Sequence, residues 1–323
     1  MKFRPCRHKD EKFRIMKAVT VFAPATVANV GCGFDVMGFA FEGIGDIVRM
    51  RLLDGEDKIE YINLSGVDLP EDIEMNIMTP AIRAIREASG INRAVEVKIL
   101  QKIIPGSGIG SSAAAVSSAV YGYNALIGSP YSDKELIDFA LEGETLASGA
   151  KHADNVAPCL MGGVVLIRDY NPLDLVAIDV IHNGFYVAVV HPHFVVKTKE
   201  ARKLLKPQMD LTLAIRQWAN VGAMVAGMLQ GDAELVGRSL VDNVAEQARK
   251  IFIPDYDILK NNILNAGAMG ANISGSGPSV FALCKTLMEA QNVNKVMDEH
   301  FTSRGIECDI YASPISKKGC VVL

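Results

Sequence analysis

Between residues 105 and 115 the chain reads Pro105-Gly-Ser-Gly-Ile-Gly-Ser-Ser-Ala-Ala-Ala115, with glycine at every second position, then two serines, then alanines. Ahead of it Val95–Ile99 alternates like a strand, and behind it Ala113–Leu126 has the alanine content and apolar spacing of a helix. A strand, a glycine-rich loop and a helix N-terminus together make an anion site. The first amides of the helix point outward without helical acceptors, and the helix dipole favours negative charge. Phosphate is the ligand this chemistry suits. The loop is neither of the two commonest phosphate loops. In Gly-x-x-x-x-Gly-Lys-Ser/Thr the glycines stand one residue further apart, and Ser111 here occupies the place of the lysine. A dinucleotide fingerprint would follow the first strand and carry an acid about 20 residues on. A small-residue helix start that serves only packing is the plainer alternative. Serine hydroxyls able to meet a phosphate oxygen or a metal argue for the ligand.

A carboxylate strengthens the case. Ser132-Asp-Lys-Glu135 is a capping box, and the helix it opens runs to about Ala147. Ile137, Ala140 and Leu141 form its apolar stripe, and Glu144 falls on that stripe. An inward carboxylate needs a partner. Mg²⁺ beside a nucleotide would supply one; an arginine, or a place at the domain surface, would also resolve the conflict.

The positioning elements mix strands and helices without a regular βαβ rhythm, which predicts an α+β protein in two lobes. Ala18–Ala23 reads as a strand, followed by the glycine-bearing loop Asn29–Gly33. Ile47–Leu53 and Lys58–Leu64 read as paired strands, Ile77–Ala88 as an amphipathic helix and Val164–Arg168 as a strand. Asp169–Pro172 is the candidate boundary, dividing the chain into residues 1–171 and 172–323. Beyond it come a strand at Phe185–His191, a helical block at Lys197–Leu205, a long helix at Leu211–Leu229, shorter helices at Asp232–Val241 and Ile258–Ala266, a second glycine-rich turn within Ala271–Leu283, a helix at Glu289–Phe301 and a strand at Glu307–Ala312.

Composition excludes several classes of function. The 323 residues suffice for two domains, and 49% are apolar. The formal net charge is −4 and there is no basic stripe, so nothing recommends a nucleic-acid partner. No apolar run approaches the ~20 residues that span a membrane. The six cysteines are scattered without a Cys-x-x-Cys pair, which fits a reducing, cytoplasmic setting. Met1–Arg14 is basic and polar and reads as a tail of about fifteen residues or a start-site artefact.

Three motifs taken together resemble the GHMP small-molecule kinases. Pro24-Ala-Thr-Val-Ala-Asn-Val-Gly-Cys-Gly-Phe-Asp35 resembles the first motif of that family, Gly106–Ala114 the second and Ile273-Ser-Gly-Ser-Gly-Pro-Ser279 the third, in the family's order. Asn29, Gly33–Asp35, Gly149–Asn155 and Glu246-x-x-Arg249 match the branch that acts on L-homoserine. The resemblance implies the family's α+β fold, with a ribosomal protein S5 domain 2-like N-terminal domain and a ferredoxin-like C-terminal domain. It also implies ATP-dependent phosphorylation of the homoserine side-chain hydroxyl, a step toward threonine, with Mg²⁺ as cofactor and a homodimer as the form common among relatives. A mevalonate or sugar kinase, or a regulator that has lost catalysis, are the alternatives. The first lacks a use for groups that hold an ammonium, and the second predicts decay at Ser112 or Glu144. The chain departs from the family pattern twice: Pro105 abuts Gly106 where one more residue is usual, and Gln247 follows Glu246 where proline is usual.

The resemblance also assigns roles. Arg202 and Arg249 would grip the substrate carboxylate, to which planar guanidinium is matched. Asn29 and Asp35 would meet the ammonium end. His152, Asp154 and Asn155 would surround the reacting end, with Asn155 accepting a hydrogen bond from the hydroxyl, and Thr198 would lie near the transferred phosphoryl group. Pro105, Gly106, Ser107, Gly108, Ile109, Gly110, Ser111 and Ser112 would cradle the triphosphate. Ser112 and Glu144 would hold Mg²⁺, Asn76 would touch the nucleoside, and Gly275 and Gly277 would close over the site. Taken singly, each has a structural alternative: a solvated arginine, a turn cap, a helix-start hydrogen bond or a tight turn.

Overall fold

The computed structural model describes residues 16–56, 58–180 and 184–323. The expected N-terminal tail lies outside the described residues. The first sheet has seven strands among those described: β1 (Ala18–Ala28), β2 (Met37–Glu56), β3 (Ile59–Asn63), β4 (Arg93–Gln101), β5 (Val164–Tyr170), β6 (Leu173–Ile178) and β11 (Val321–Val322). Their central order is β11-β1-β2-β4-β3, and β5 pairs with the start of β2 and with β6. Four helices belong to this lobe, α1 (Met78–Ser89), α2 (Ser111–Leu126), α3 (Asp133–Ser148) and α4 (Ala153–Met161), with α2 and α4 against the sheet and α1 and α3 packed on α2.

Two sequence expectations need correction. The segments expected to pair, Ile47–Leu53 and Lys58–Leu64, are not neighbours. Strand β4 lies between them, antiparallel to β2 and parallel to β3. Its residues 94–97 are all buried, so it takes the interior position, and half-buried β3 takes the edge. The parallel β3–β4 link needs a crossover, and α1 lies within it. The candidate boundary at Asn171-Pro172 is the turn of the antiparallel β5–β6 hairpin, so Leu173–Ile178 remains in the first sheet. Strand β11 returns to that sheet at the chain's end.

The second sheet contains β7 (Tyr186–Pro192), β8 (Gly270–Ile273), β9 (Val280–Cys284) and β10 (Cys308–Pro314) in the order β10-β7-β9-β8, antiparallel throughout. Between β7 and β8 run α5 (Thr198–Lys203), α6 (Leu211–Gln230), α7 (Ala233–Ser239), the single turn α8 (Glu246–Arg249) and α9 (Tyr256–Asn265). Helix α10 (Leu287–Thr302) joins β9 to β10. This order and connectivity are ferredoxin-like, as expected.

The uninterrupted apolar run of β7 serves two cores. Val187 and Val189 face the first sheet, where Phe281 meets Phe39 edge to face at 5.9 Å. Ala188 and Val190 face α9 and α10. Alternation along one strand thus joins the two lobes and fixes the walls of the cleft between them.

Candidate functional site

The three glycine-bearing segments meet. Gly106, Gly108 and Gly110 have φ values of 78°, 86° and 78°, a conformation that only glycine adopts at low cost. Each also makes a close approach. A methyl group on Gly106 would run into Val195, on Gly108 into the carbonyl oxygens of Gly277 and Ser274, and on Gly110 into the hydroxyl of Thr26. The third segment is stapled to the second: Ser274 Oγ donates to Gly108 O at 2.7 Å and Ser279 Oγ to Ser107 O at 2.6 Å. Helix α2 then begins, and its first helical hydrogen bond runs from Ala114 N to Gly110 O at 2.9 Å, so the amides of Ser111, Ser112 and Ala113 precede the ladder. The shortened entry at Pro105 leaves this arrangement intact.

A cleft of about 670 Å³ opens over this loop. Pro105, Gly106, Gly108, Gly110, Ser111, Ser112, Glu144, Asn76, Asn29, Asp35, His152, Asp154, Asn155, Thr198, Arg202, Arg249 and Gly275 all line it. Ser107, Ile109 and Gly277 do not. Ser107 and Ile109 are buried and turn their carbonyls to Ser279 and to Thr26 N, while Gly277 packs on Gly108. These three shape the loop from behind. Gly275 reaches the cleft, but its carbonyl accepts from Arg249 Nη1 at 2.7 Å and Asn29 Nδ2 at 3.0 Å.

The side chain of Ser111 is also turned inward. Its Oγ donates to Ile103 O at 2.7 Å and accepts from Lys102 Nζ at 2.6 Å, and its carbonyl accepts from the same Nζ at 2.8 Å, which leaves the amide N–H as its group for an anion. Lys102 is itself buried, 3.0 Å from Asp46 Oδ2. Burial pushes the Asp46 carboxyl up, and Lys102 counters this. Sequence reading missed this pair, whose signal was a single cation and a single acid inside apolar runs. Ser112 and Glu144 bring a hydroxyl and a buried carboxylate to the same cleft.

The backbone of the first motif, which meets the loop through Thr26, is tightly wound, with φ of 71° at Asn29, 38° at Val30 and 58° at Asp35. Such non-glycine values carry strain and occur where the surroundings hold them. Asn29 does the holding: its Oδ1 accepts from Asp35 N at 3.1 Å and its Nδ2 donates to Gly275 O. Its amide is therefore committed to the fold, and the expected ammonium contact rests on Asp35. Arg202 meets Asp35 through both guanidinium ends, with Nη1 3.2 Å from Oδ1 and Nη2 on Oδ2. Arg249 is buried, and burial works against its charge, offset by Asp242 and Asp35. The Phe34 ring lies 5.8 Å from the guanidinium of Arg202 and 5.3 Å from that of Arg249, holding the two arginines to one aromatic group. The turn before Arg249 forms without the usual proline because Asp242 accepts the amides of Val244, Ala245 and Glu246.

His152 and Asp154 stand at the start of α4, in keeping with the helix-start alternative that the sequence offered for them. His152 Nδ1 is 3.8 Å from Asp35 Oδ1, and burial lowers its pKa, which favours the neutral ring at pH 7. Asp154 is pushed up to about 7 by burial first and the Asp35 charge second. Thr26 Oγ1 donates to Asn155 Oδ1 at 2.7 Å, which orients the Asn155 amide with its Nδ2 group toward the cleft. The expectation that this oxygen accepts from a substrate hydroxyl thus shifts: in this geometry it first serves Thr26. Thr198 Oγ1 lies 3.3 Å from Ser276 Oγ, and Asn76 Oδ1 accepts from Met78 N at 3.0 Å, capping α1. Thr26 and Phe34 stood inside the first motif without a role in the sequence reading. Neither type announces chemistry until its neighbours are known.

Family models describe both halves. The GHMP kinases N-terminal domain matches residues 76–163 and the GHMP kinases C-terminal domain matches residues 224–303. The chain is 42% identical to a homoserine kinase of Chloroherpeton thalassium over 95% of this chain and 100% of that one. It is 38% identical to a homoserine kinase of Pyrococcus abyssi over 93% of this chain and 97% of that one. A crystal structure of homoserine kinase from Cytophaga hutchinsonii superimposes with a TM-score of 0.92 at 45% identity, covering 97% of this chain and 100% of that one.

Proposed function

From the premise that this chain belongs to the homoserine kinases of the GHMP kinase family, we propose a division of labour within its cleft. The activity is transfer of the ATP γ-phosphoryl group to the side-chain hydroxyl of homoserine, in threonine biosynthesis. The observation that carries the assignment is convergence: the three glycine-bearing segments, two arginines and a buried carboxylate meet in one cavity.

The loop from Gly106 to Ser112 receives the triphosphate through backbone amides and the start of α2. Leu69, Pro70, Met75, Ile77 and Met78 give an apolar wall near Asn76 for the base. Ser112 and Glu144 offer hard oxygen donors, a set suited to Mg²⁺, which when bound offsets phosphate charge. Remaining positions would fall to phosphate and water, as is usual for this ion.

Homoserine binds at the other end. Arg249 and Arg202 take its carboxylate, and Asp35 takes its ammonium. His152, neutral, lies beside Asp35 without adding a competing charge. Asn155, held by Thr26, directs the substrate hydroxyl toward the γ-phosphorus. The new P–O bond forms as the bridging bond to ADP breaks, and the hydroxyl proton leaves as the transfer proceeds. Asp154, with a pKa near neutrality, can take that proton. A loose transition state asks more for placement and charge neutralisation than for a strong base. Thr198, across the cleft beside Ser276, meets the phosphoryl group in flight. We place the enzyme in the cytoplasm, which suits five free cysteines among the described residues. No helix among the described residues is long and apolar enough to cross a membrane.

The test is a substrate panel. Purified protein with Mg-ATP is offered homoserine, threonine, mevalonate and galactose, and ADP release is followed. Release with homoserine well above the others is expected. Release only with mevalonate or galactose would reject the assignment of Asp35, Arg202 and Arg249.

A further inference from the structure

Strands β7 and β10 bring four chemistry-bearing side chains to one face, outside the cleft. Side chains alternate in direction along a strand, so His191 and His193 share a side of β7 and its continuation, as Glu307 and Asp309 do on the neighbouring strand. The antiparallel register sets Asp309 opposite His191, and His193 N donates to Glu307 O at 2.8 Å, which carries the ladder past the last strand pair. A His-x-His pair thus faces a Glu-x-Asp pair. Ligand atoms of His191, His193 and Asp309 all lie within 4.8 Å of one another. Asp309 Oδ2 is 3.1 Å from His193 Nε2 and 3.8 Å from His191 Nδ1. Ion pairing accounts for His193, which lies at the surface between the two carboxylates. It does not account for His191. That side chain is 2% exposed, its Nδ1 stands beyond hydrogen-bond length from Asp309, and its Nε2 has no hydrogen-bond partner among the described residues.

We propose that His191, His193 and Asp309 form a binding site for a divalent transition metal of the zinc class, separate from the Mg²⁺ site of the cleft. Donors bonded to tetrahedral zinc at ~2.0–2.2 Å stand about 3.4 Å apart, and the two separations from Asp309 Oδ2 straddle that value. Two imidazole nitrogens and a carboxylate oxygen, with a position left for water, are a donor set that zinc accepts. Mg²⁺, which takes oxygen ligands in a near-octahedral array, does not favour it. Glu307 supports the arrangement from behind: its Oε2 is 3.6 Å from His193 Nδ1. With Nε2 on the metal, the Nδ1–H faces this carboxylate, the usual support of a metal-bound imidazole. A metal here pins β10, at the end of the second sheet, to β7. Strand β7 leads through Phe194 into Val195–Thr198, which line the cleft, whereas His191, His193, Glu307 and Asp309 do not. The site braces the root of a cleft wall without touching substrate.

Calorimetric titration of the untagged full chain with ZnCl₂ tests this, after EDTA treatment and desalting, in millimolar Mg²⁺ to fill oxygen-donor sites. The wild type is expected to bind about one equivalent with a micromolar or tighter Kd. His193→Ala and Asp309→Asn are each expected to weaken binding on the order of a hundred-fold, and Glu307→Gln by about ten-fold. Kinase activity with Mg-ATP should persist in all three, and circular dichroism reports the fold. Should either ligand variant misfold, Co²⁺ bound to the wild type decides: its absorption is expected to show nitrogen and oxygen ligands without a thiolate charge-transfer band. A wild type that binds no Zn²⁺, an affinity unchanged in the folded ligand variants, a thiolate band, or binding abolished by Glu144→Gln, which would put the ion in the cleft, would each overturn the proposal.

Discussion

Replacing Glu144 with glutamine is expected to lower kcat by about a hundred- to a thousand-fold, with KM for homoserine changed no more than a few-fold. The substitution keeps size and removes charge. Glu144 is buried on α3 and lines the cleft with Ser112, so in the proposed arrangement its loss touches the metal and nucleotide. A neutral amide binds a divalent cation far less well than a carboxylate, and the Mg²⁺ concentration giving half-maximal rate should rise in parallel. Steady-state kinetics across a Mg²⁺ series, with a thermal melt as control, gives the answer. An unchanged kcat and Mg²⁺ dependence would remove Glu144 from the metal site.

Thr26→Val is expected to lower kcat by about ten- to a hundred-fold at nearly constant KM, and Thr26→Ser to restore most of it. Valine keeps the shape that Gly110 packs against, while the donor to Asn155 Oδ1 is lost. The amide of Asn155 is then free to rotate, and the substrate hydroxyl loses its aim. Because Thr26 acts through Asn155, the two changes should not add: Thr26→Val should cost little in an Asn155→Ala background. A purely structural role for Thr26 predicts the opposite, namely a lowered melting temperature, equal loss in both backgrounds and no rescue by serine specific to kcat. Any of those results would return Thr26 to the scaffold.

Much of this site was legible because its chemistry is local. The alternating glycines, the serines after them and the capping box that sets the phase of Glu144 all lie within single segments. What was not legible depends on distant neighbours. That Gly106, Gly108 and Gly110 are required three times over, by Val195, by Gly277 and Ser274, and by Thr26, appears only when three segments meet. Asn29 carries the residue type of a ligand contact but is consumed bridging Asp35 and Gly275. Ser111 carries the type of a phosphate ligand but spends its hydroxyl on Lys102 and Ile103. The pairing of β2 with β4 rather than β3 could not be read from apolar alternation, which marks strands and leaves their order open.

In the proposed arrangement one cleft would hold homoserine between two arginines and Asp35, with its hydroxyl aimed by Asn155 at the loop's triphosphate. A crystal structure of the protein with homoserine and a non-hydrolysable ATP analogue tests it most directly. The carboxylate is expected on Arg202 and Arg249, the ammonium on Asp35, the hydroxyl at Asn155 and the phosphates over Gly106–Ser112. Homoserine bound elsewhere, or reversed with its ammonium toward the arginines, would contradict it.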